Sequence, residues 1–264
     1  MNRAALFFYF LLFNSFLVFS QNTLNQKGKQ GHWVKYYDNG SIMYEGIFKD
    51  DVPIGDFIRY YEKGKIKSKQ NFDADSKKVY TELYRSNGKI FSAGVFNNKL
   101  KVDEWTYYSS KGYLILKETY NSQGKRHQTS FVYDEENRIF QSTDWKNGKI
   151  HGKHKQYFSN DSLQSEISYE NGVRHGSFQT FFDNGLLESQ GMFIKGKKEG
   201  VWLIYDTEGS LISNIEYKDG AAINQKELEE KQQEEILRNE ENAGKFKDPA
   251  DYISNPEEYI YNIK

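Results

Sequence analysis

Aromatic and aliphatic residues recur along this chain at a fixed step, and glycine punctuates each step. Eight repeats begin at Gly31, Gly55, Val79, Asp103, Gln128, Gly152, Gly176 and Gly200. The step is 24 residues six times and 25 once, with the extra residue in the turn around Gln123-Gly124. The sixth position is aromatic in every repeat: Tyr36, Tyr60, Tyr84, Tyr108, Tyr133, Tyr157, Phe181 and Tyr205. The tenth is a residue that tolerates positive φ: Gly40, Gly64, Gly88, Gly112, Asn137, Asp161, Gly185 and Gly209. The twelfth is Ile or Leu throughout, from Ile42 to Leu211, and the eighteenth is aromatic throughout, from Phe48 to Tyr217.

This spacing predicts one β-hairpin per repeat. Asn39-Gly40, Asn87-Gly88 and Asn184-Gly185 read as tight hairpin turns in which both central residues have positive φ. In the strand that follows, the period of two places positions 12, 14, 16 and 18 on one face. That face carries the Ile/Leu, the aromatic, and small residues such as Ser92, Ser165, Ser189 and Ser213. Position 15, on the other face, holds Glu45, Lys69, Lys117, Ser142, Glu166, Gln190 and Asn214, with Ala93 the exception. A second turn closes each repeat, as at Asn147-Gly148 and Asn171-Gly172. A single hairpin cannot bury its own face, so neighbours must stack. The expected fold is all-β: an elongated antiparallel β-hairpin array of about eight 24-residue repeats, with a short α-helical C-terminal tail.

The segments outside the repeats set the organisation. Residues 1–20 read as a signal peptide: Arg3, then an apolar run over Leu6–Phe19, then Val18-Phe19-Ser20 before Gln21. Residues 21–30 read as a linker, 31–223 as the repeats and 224–264 as the tail. The tail carries 11 acidic and 6 basic side chains, a net −5, and Asn224-x-x-Glu227 reads as a capping box opening a helix. Tyr252, Ile253, Tyr259, Ile260, Tyr261 and Ile263 would either cap the last hairpin or meet a partner. On this reading the chain is exported to the periplasm, the cell surface or the medium, with no transmembrane segment after cleavage.

Gly31-His32-Trp33-Val34-Lys35-Tyr36-Tyr37-Asp38-Asn39-Gly40, followed by Tyr/Phe-x-x-Gly-x-x-x-Gly, resembles the MORN repeat variant. Such repeats occur in bacterial proteins described as antitoxin components of toxin–antitoxin modules. The resemblance covers residues 31–223. It implies a β-hairpin scaffold with a protein-binding or membrane-associated role, and no catalytic residues. The middle departs from the pattern. Val79, Asp103 and Gln128 replace the leading glycine, and Thr81 and Ser130 replace the leading aromatic. An export signal suits an envelope or immunity-type role better than neutralising a cytosolic toxin.

Composition narrows the function classes. With no cysteine there is neither a disulfide framework nor a thiolate site. Lys and Arg number 36 against 37 Asp and Glu, a net charge of −1, so no basic excess points to nucleic acid. His151 and His175 occupy equivalent turn positions and bring no carboxylate, and no Gly-rich loop precedes a helix. Neither an enzyme, a metal nor a cofactor is expected.

The remaining candidates are aromatics at positions 3 and 7, read as partner-binding: Trp33, Phe57, Trp105, Phe178 and Trp202, with Tyr37, Tyr61, Phe158 and Phe182. Such rings could anchor a protein partner, in an antitoxin- or immunity-like role, or stack on a glycan or envelope polymer. The protein-binding reading leads, and a carbohydrate- or envelope-binding module using a ladder of rings is the alternative.

Overall fold

The computed structural model describes residues 22–73, 77–224, 230, 233, 234, 237 and 238. The expected signal peptide lies outside these. The expected helical tail does too, apart from Asn224 and five isolated positions that make up no continuous element. The chain divides into two compact units, one ending at Arg138 and one starting at Ile139.

The N-terminal unit holds β1 Thr23–Asn25, β2 Gly28–Tyr36, β3 Ile42–Lys49, β4 Val52–Tyr60 and β5 Ile66–Phe72. It continues with β6 Lys78–Tyr84, β7 Ile90–Asn97, β8 Leu100–Tyr108, β9 Leu114–Tyr120 and β10 Gln128–Tyr133. Each strand pairs antiparallel with the next. The C-terminal unit holds β11 Ile139–Lys146, β12 Lys149–Tyr157, β13 Leu163–Glu170 and β14 Val173–Phe181. It ends with β15 Leu187–Ile194, β16 Lys197–Tyr205, β17 Leu211–Lys218 and β18 Ala221–Ala222, again paired in order. The all-β hairpin array is therefore observed. The linker over 21–30 is not: β1 occupies part of it, and β2 starts ahead of Gly31, because each hairpin begins at the turn before its leading residue.

Two kinds of turn alternate. Within a repeat, the Tyr37 N–H donates to Ser41 O (2.8 Å) and the Gly40 N–H to Tyr37 O (2.9 Å). This is a three-residue loop ending in a bulge, with Gly40 alone at positive φ (81°). All eight tenth positions have positive φ, as expected, but Asn39, Asn87 and Asn184 do not. Asparagine is there for another reason. Its side-chain oxygen accepts the backbone N–H two residues on, as Asn39 does from Ser41 (2.9 Å) and Asn184 from Leu186 (2.9 Å). Between repeats the loop has two residues, both at positive φ: Asn147 (53°) with Gly148 (83°), Asn171 (52°) with Gly172 (90°), and Asp50 (52°) with Asp51 (64°).

The leading residue is a bulge inside a strand in repeats such as the second; Val79 is an exception, paired with Phe72 without a shift. On β4, Phe57 faces Gly46 but Ile54 faces Ile47, so Gly55-Asp56 is the surplus. Gly55 sits there at φ 62°, and Asp103 (57°) and Gln128 (65°) adopt the same conformation without being glycine.

The core is a layer on one face of each unit. Phe57, Trp105 and Trp202 at position 3 and Phe48 and Phe193 at position 18 are buried. Each position-3 ring lies across position 16 of the preceding strand. Under three large rings that position is glycine: Gly46 under Phe57, Gly94 under Trp105 and Gly191 under Trp202, whereas Phe178 faces Ile167. A Cβ built on these glycines would stand 2.2–2.3 Å from ring carbons. Where position 16 keeps a side chain, the facing residue can be small, as with Gln70 opposite Thr81. The irregular middle repeats thus exchange large and small across one contact. Position 12 does not join this layer: Leu211 is 54 % exposed and Ile139 38 %. The shift between positions 5 and 6 puts position 12 opposite position 6 and interrupts the alternation.

Both outer strands end in the same device. The Asn22 side chain accepts the Val34 N–H (2.9 Å) and donates to Val34 O (3.1 Å). The Asn224 side chain accepts the Glu216 N–H (2.9 Å) and donates to Asn214 O (3.1 Å). A carboxamide stands in for a peptide group and extends the short strands β1 and β18 by one rung.

Gly191→Ala should destabilise the protein by about 2 kcal/mol, because Trp202 cannot retreat from the new methyl. Gln128→Gly should stabilise it by about 1 kcal/mol by relieving a left-handed conformation. Denaturant midpoints of the two variants check both signs.

Candidate functional site

Positions 3, 5, 14, 16 and 18 share the aromatic face, and basic side chains lie over it. Lys29 lies over Trp33 (5.3 Å) and Phe48 (4.8 Å). Lys101 lies over Trp105 (4.7 Å) and Tyr120 (5.7 Å), and Lys198 over Trp202 (4.2 Å) and Tyr217 (4.7 Å). Each lysine is two residues ahead of the leading residue, four before its Trp. The long alkyl stem reaches the ring while the ammonium stays near its face.

This arrangement revises the partner-binding aromatics. Phe57, Trp105 and Trp202 are 4 %, 0 % and 5 % exposed, so they are core and offer no area to a partner. Trp33 is half-buried, and its indole N–H donates to Thr23 O and Gln30 O, both at 3.2 Å. Phe178 is packed between Phe193 (centroids 5.7 Å apart) and Trp202 (5.0 Å). The Tyr37 hydroxyl donates to Tyr60 O (2.8 Å) and the Tyr61 hydroxyl to Tyr84 O (2.7 Å), so position 7 links one repeat to the next. Phe178 and Trp202 are thus brought together in the core, while Phe158 and Phe182 both line a shallow depression of about 590 Å³ at the turn end of the C-terminal unit.

One repeat carries a polar cluster within its aromatic face. Glu118 stands at position 16 and is 3 % exposed. It pairs with Arg126 (2.5 Å) and accepts the Tyr120 hydroxyl (2.6 Å). The Tyr120 and Tyr107 oxygens are 3.5 Å apart, and Lys101 donates to the Tyr107 hydroxyl (2.7 Å). Burial pushes the Lys101 ammonium below the usual lysine range and the Tyr107 and Tyr120 phenols above theirs. These groups stabilise one another in place of the ring-on-glycine contact used elsewhere.

The opposite face carries positions 2, 4, 15 and 17. In the C-terminal unit it is ionic: Glu166 receives Lys153 (2.6 Å) and Lys155 (3.0 Å), and Lys153 also donates to Ser168 (3.0 Å) and Ser177 (2.9 Å). The Lys153 hydrogen bond is the main reason the Glu166 carboxyl is held below the ordinary range. Further along, Met192 (50 % exposed) and Val201 (54 %) flank a depression of about 350 Å³ that Gln179, Gln190 and Leu203 also line. In the N-terminal unit the same face holds a trough of about 510 Å³ over β4–β7. Ala93, the short residue at position 15, lies in it. Along the sequence, Ala93 is the one visible mark of this trough. His154 occupies position 3 of its repeat; its Nδ1 is 2.9 Å from Thr143 Oγ1 and its ring is kept below the usual histidine range chiefly by burial.

Arg126→Met should cost about 3 kcal/mol, since it strips the buried Glu118 of its ion pair, and Glu118→Leu added to it should recover much of the loss. Chemical denaturation of the single and double variants tests this. The depressed Glu166 pKa implies stabilisation that is present above about pH 4.5, the ordinary value, and lost as pH falls through the lower folded value. The melting-temperature gap between the wild type and Glu166→Gln should therefore be positive at neutral pH and close in acid. Because both lysines are partly exposed, the corresponding stability difference should be less than about 1 kcal/mol.

No curated protein matches the chain. The family model described as MORN repeat variant matches residues 29–50, 53–74, 150–171 and 198–219. Three of these begin two residues ahead of a leading glycine and end on Asp50, Asn171 or Asp219, the first positive-φ residue of a two-residue turn. The unmatched strands β6–β9 and β14–β15 pair as the same kind of antiparallel hairpin. The chain thus carries MORN repeat variants at four places in a β-hairpin array.

Proposed function

We propose that the protein is an exported, non-catalytic repeat scaffold that binds a protein partner, in an antitoxin- or immunity-like role. The supporting observation is the patch around Met192 and Val201. Two apolar side chains, each about half exposed, stand on β15 and β16, on a sheet face that also carries Glu166 on β13 and Lys153 and Lys155 on β12. Exposed apolar groups with a polar rim mark interaction surfaces. A flexible methionine suits such a surface, because its side chain adapts to the opposing shape. The rigid hydrogen-bonded strands beneath would hold the patch in place at little entropic cost on binding. The MORN matches support a scaffold of this kind, and the apolar N-terminal run supports export.

Affinity capture tests this reading. The immobilised full chain is exposed to solubilised envelope and secreted fractions of the source cell. One stoichiometric polypeptide should be retained, and Met192→Glu with Val201→Glu should release it at least tenfold more readily. Retention of no specific polypeptide would overturn the reading. Export is read separately: the N-terminus of the protein recovered outside the cytosol should be Gln21.

A further inference from the structure

The trough over β4–β7 is built as two rows of cross-strand neighbours. Ile58, Lys69, Glu82 and Ala93 form one row and Asp56, Asn71, Tyr80 and Val95 the other. In six other repeats position 15 is a longer Glu, Lys, Gln or Asn. Here it is Ala93, and the missing atoms open the depression. Val95 is buried and Ile58 half-buried, giving an apolar floor. Tyr80 is 54 % exposed and presents a ring from the wall.

The polar groups around this floor are already positioned. Asn71 donates one amide hydrogen to Asp56 (2.7 Å), leaving its second hydrogen, its own oxygen and the other Asp56 oxygen for a ligand. The Tyr84 hydroxyl donates to Glu82 (2.5 Å), and the Lys69 ammonium lies over the Tyr84 ring at 5.9 Å. Tyr84 thereby gathers both charged side chains at one end of the trough.

We propose that this trough is a binding site for a neutral saccharide of one or two rings, distinct from the protein-binding patch of the other unit. The volume is in the range of small-ligand pockets. An anionic ligand would meet two carboxylates for one ammonium. A hydrocarbon would strip water from Asp56, Glu82 and Lys69 with no return. A pyranose satisfies both demands: its C–H face covers the Tyr80 ring, and its vicinal hydroxyls donate to Asp56 and Glu82 and accept from Asn71 and Lys69.

The test is a titration of the full chain with cellobiose, maltose and N,N′-diacetylchitobiose, followed through backbone amide NMR shifts. At least one sugar should give saturable shifts at Ala93 and Gly94. Ala93→Lys should abolish them. Lysine already occupies position 15 at Lys69 and Lys117, so this variant keeps the fold and its melting temperature. Tyr80→Ala should weaken binding by about tenfold. No saturable shift with any of the three, or binding that survives Ala93→Lys, would overturn the proposal. Neither result bears on capture through Met192 and Val201, so the two readings stand or fall separately.

Discussion

The stability of each sheet unit rests on an aromatic ring lying across a glycine of the preceding strand. Gly46, Gly94 and Gly191 leave bare backbone where Phe57, Trp105 and Trp202 come to rest. Among the described residues of each unit, these rings find their burial on the sheet itself. Removing one Cβ lets a flat ring approach within van der Waals distance of the strand. Position-18 rings then close on its edge, as Phe193 does on Trp202 at 5.1 Å and 84°. Lysine stems cover the remaining side. Ring and glycine belong to neighbouring strands, so the contact also sets which strand lies next to which.

The bulge at the leading residue serves that contact. It lets the strand keep ring and glycine opposed while the following pairs shift by two. A local twist is the ordinary result of such a bulge, and recurring between most neighbouring hairpins, though not between β5 and β6, it relieves the strain of a flat sheet. Gly55, Gly152, Gly176 and Gly200 adopt the required φ readily, whereas Asp103 and Gln128 adopt it against their preference. The cluster around Glu118 follows Asp103 in the same repeat. There polar pairing takes over where the ring-on-glycine rule lapses.

Much of this was legible in the residues. The 24-residue step, the hairpins and the positive φ at every tenth position follow from spacing and from what glycine permits. The fate of individual rings was not legible from alternation alone. Period two says that positions 14, 16 and 18 share a face, but not that Trp105 is sealed while Tyr80 is bare. The missing signal lay in pairs: glycine at position 16 goes with a large ring at position 3 of the next repeat, and Gln70 goes with Thr81. Position 12 was misplaced because a bulge, which leaves no residue-type mark of its own there, reverses the count. The apolar trough was missed for a related reason, since one alanine among polar neighbours looks like noise until its cross-strand partners are known.

The asparagines at the two outer strands bear on how such a chain can change length. Internal hairpins are interchangeable in form: each offers a full backbone edge on both sides and accepts another like itself. Asn22 and Asn224 do not, because a side-chain carboxamide satisfies a donor and an acceptor and then ends. A duplicated internal repeat would slot between its neighbours with every hydrogen bond restored. A duplicated terminal segment would carry its stop into the middle of the ladder and break it. Growth and loss of repeats are therefore confined to the interior, and the two ends persist as fixed punctuation around a variable text.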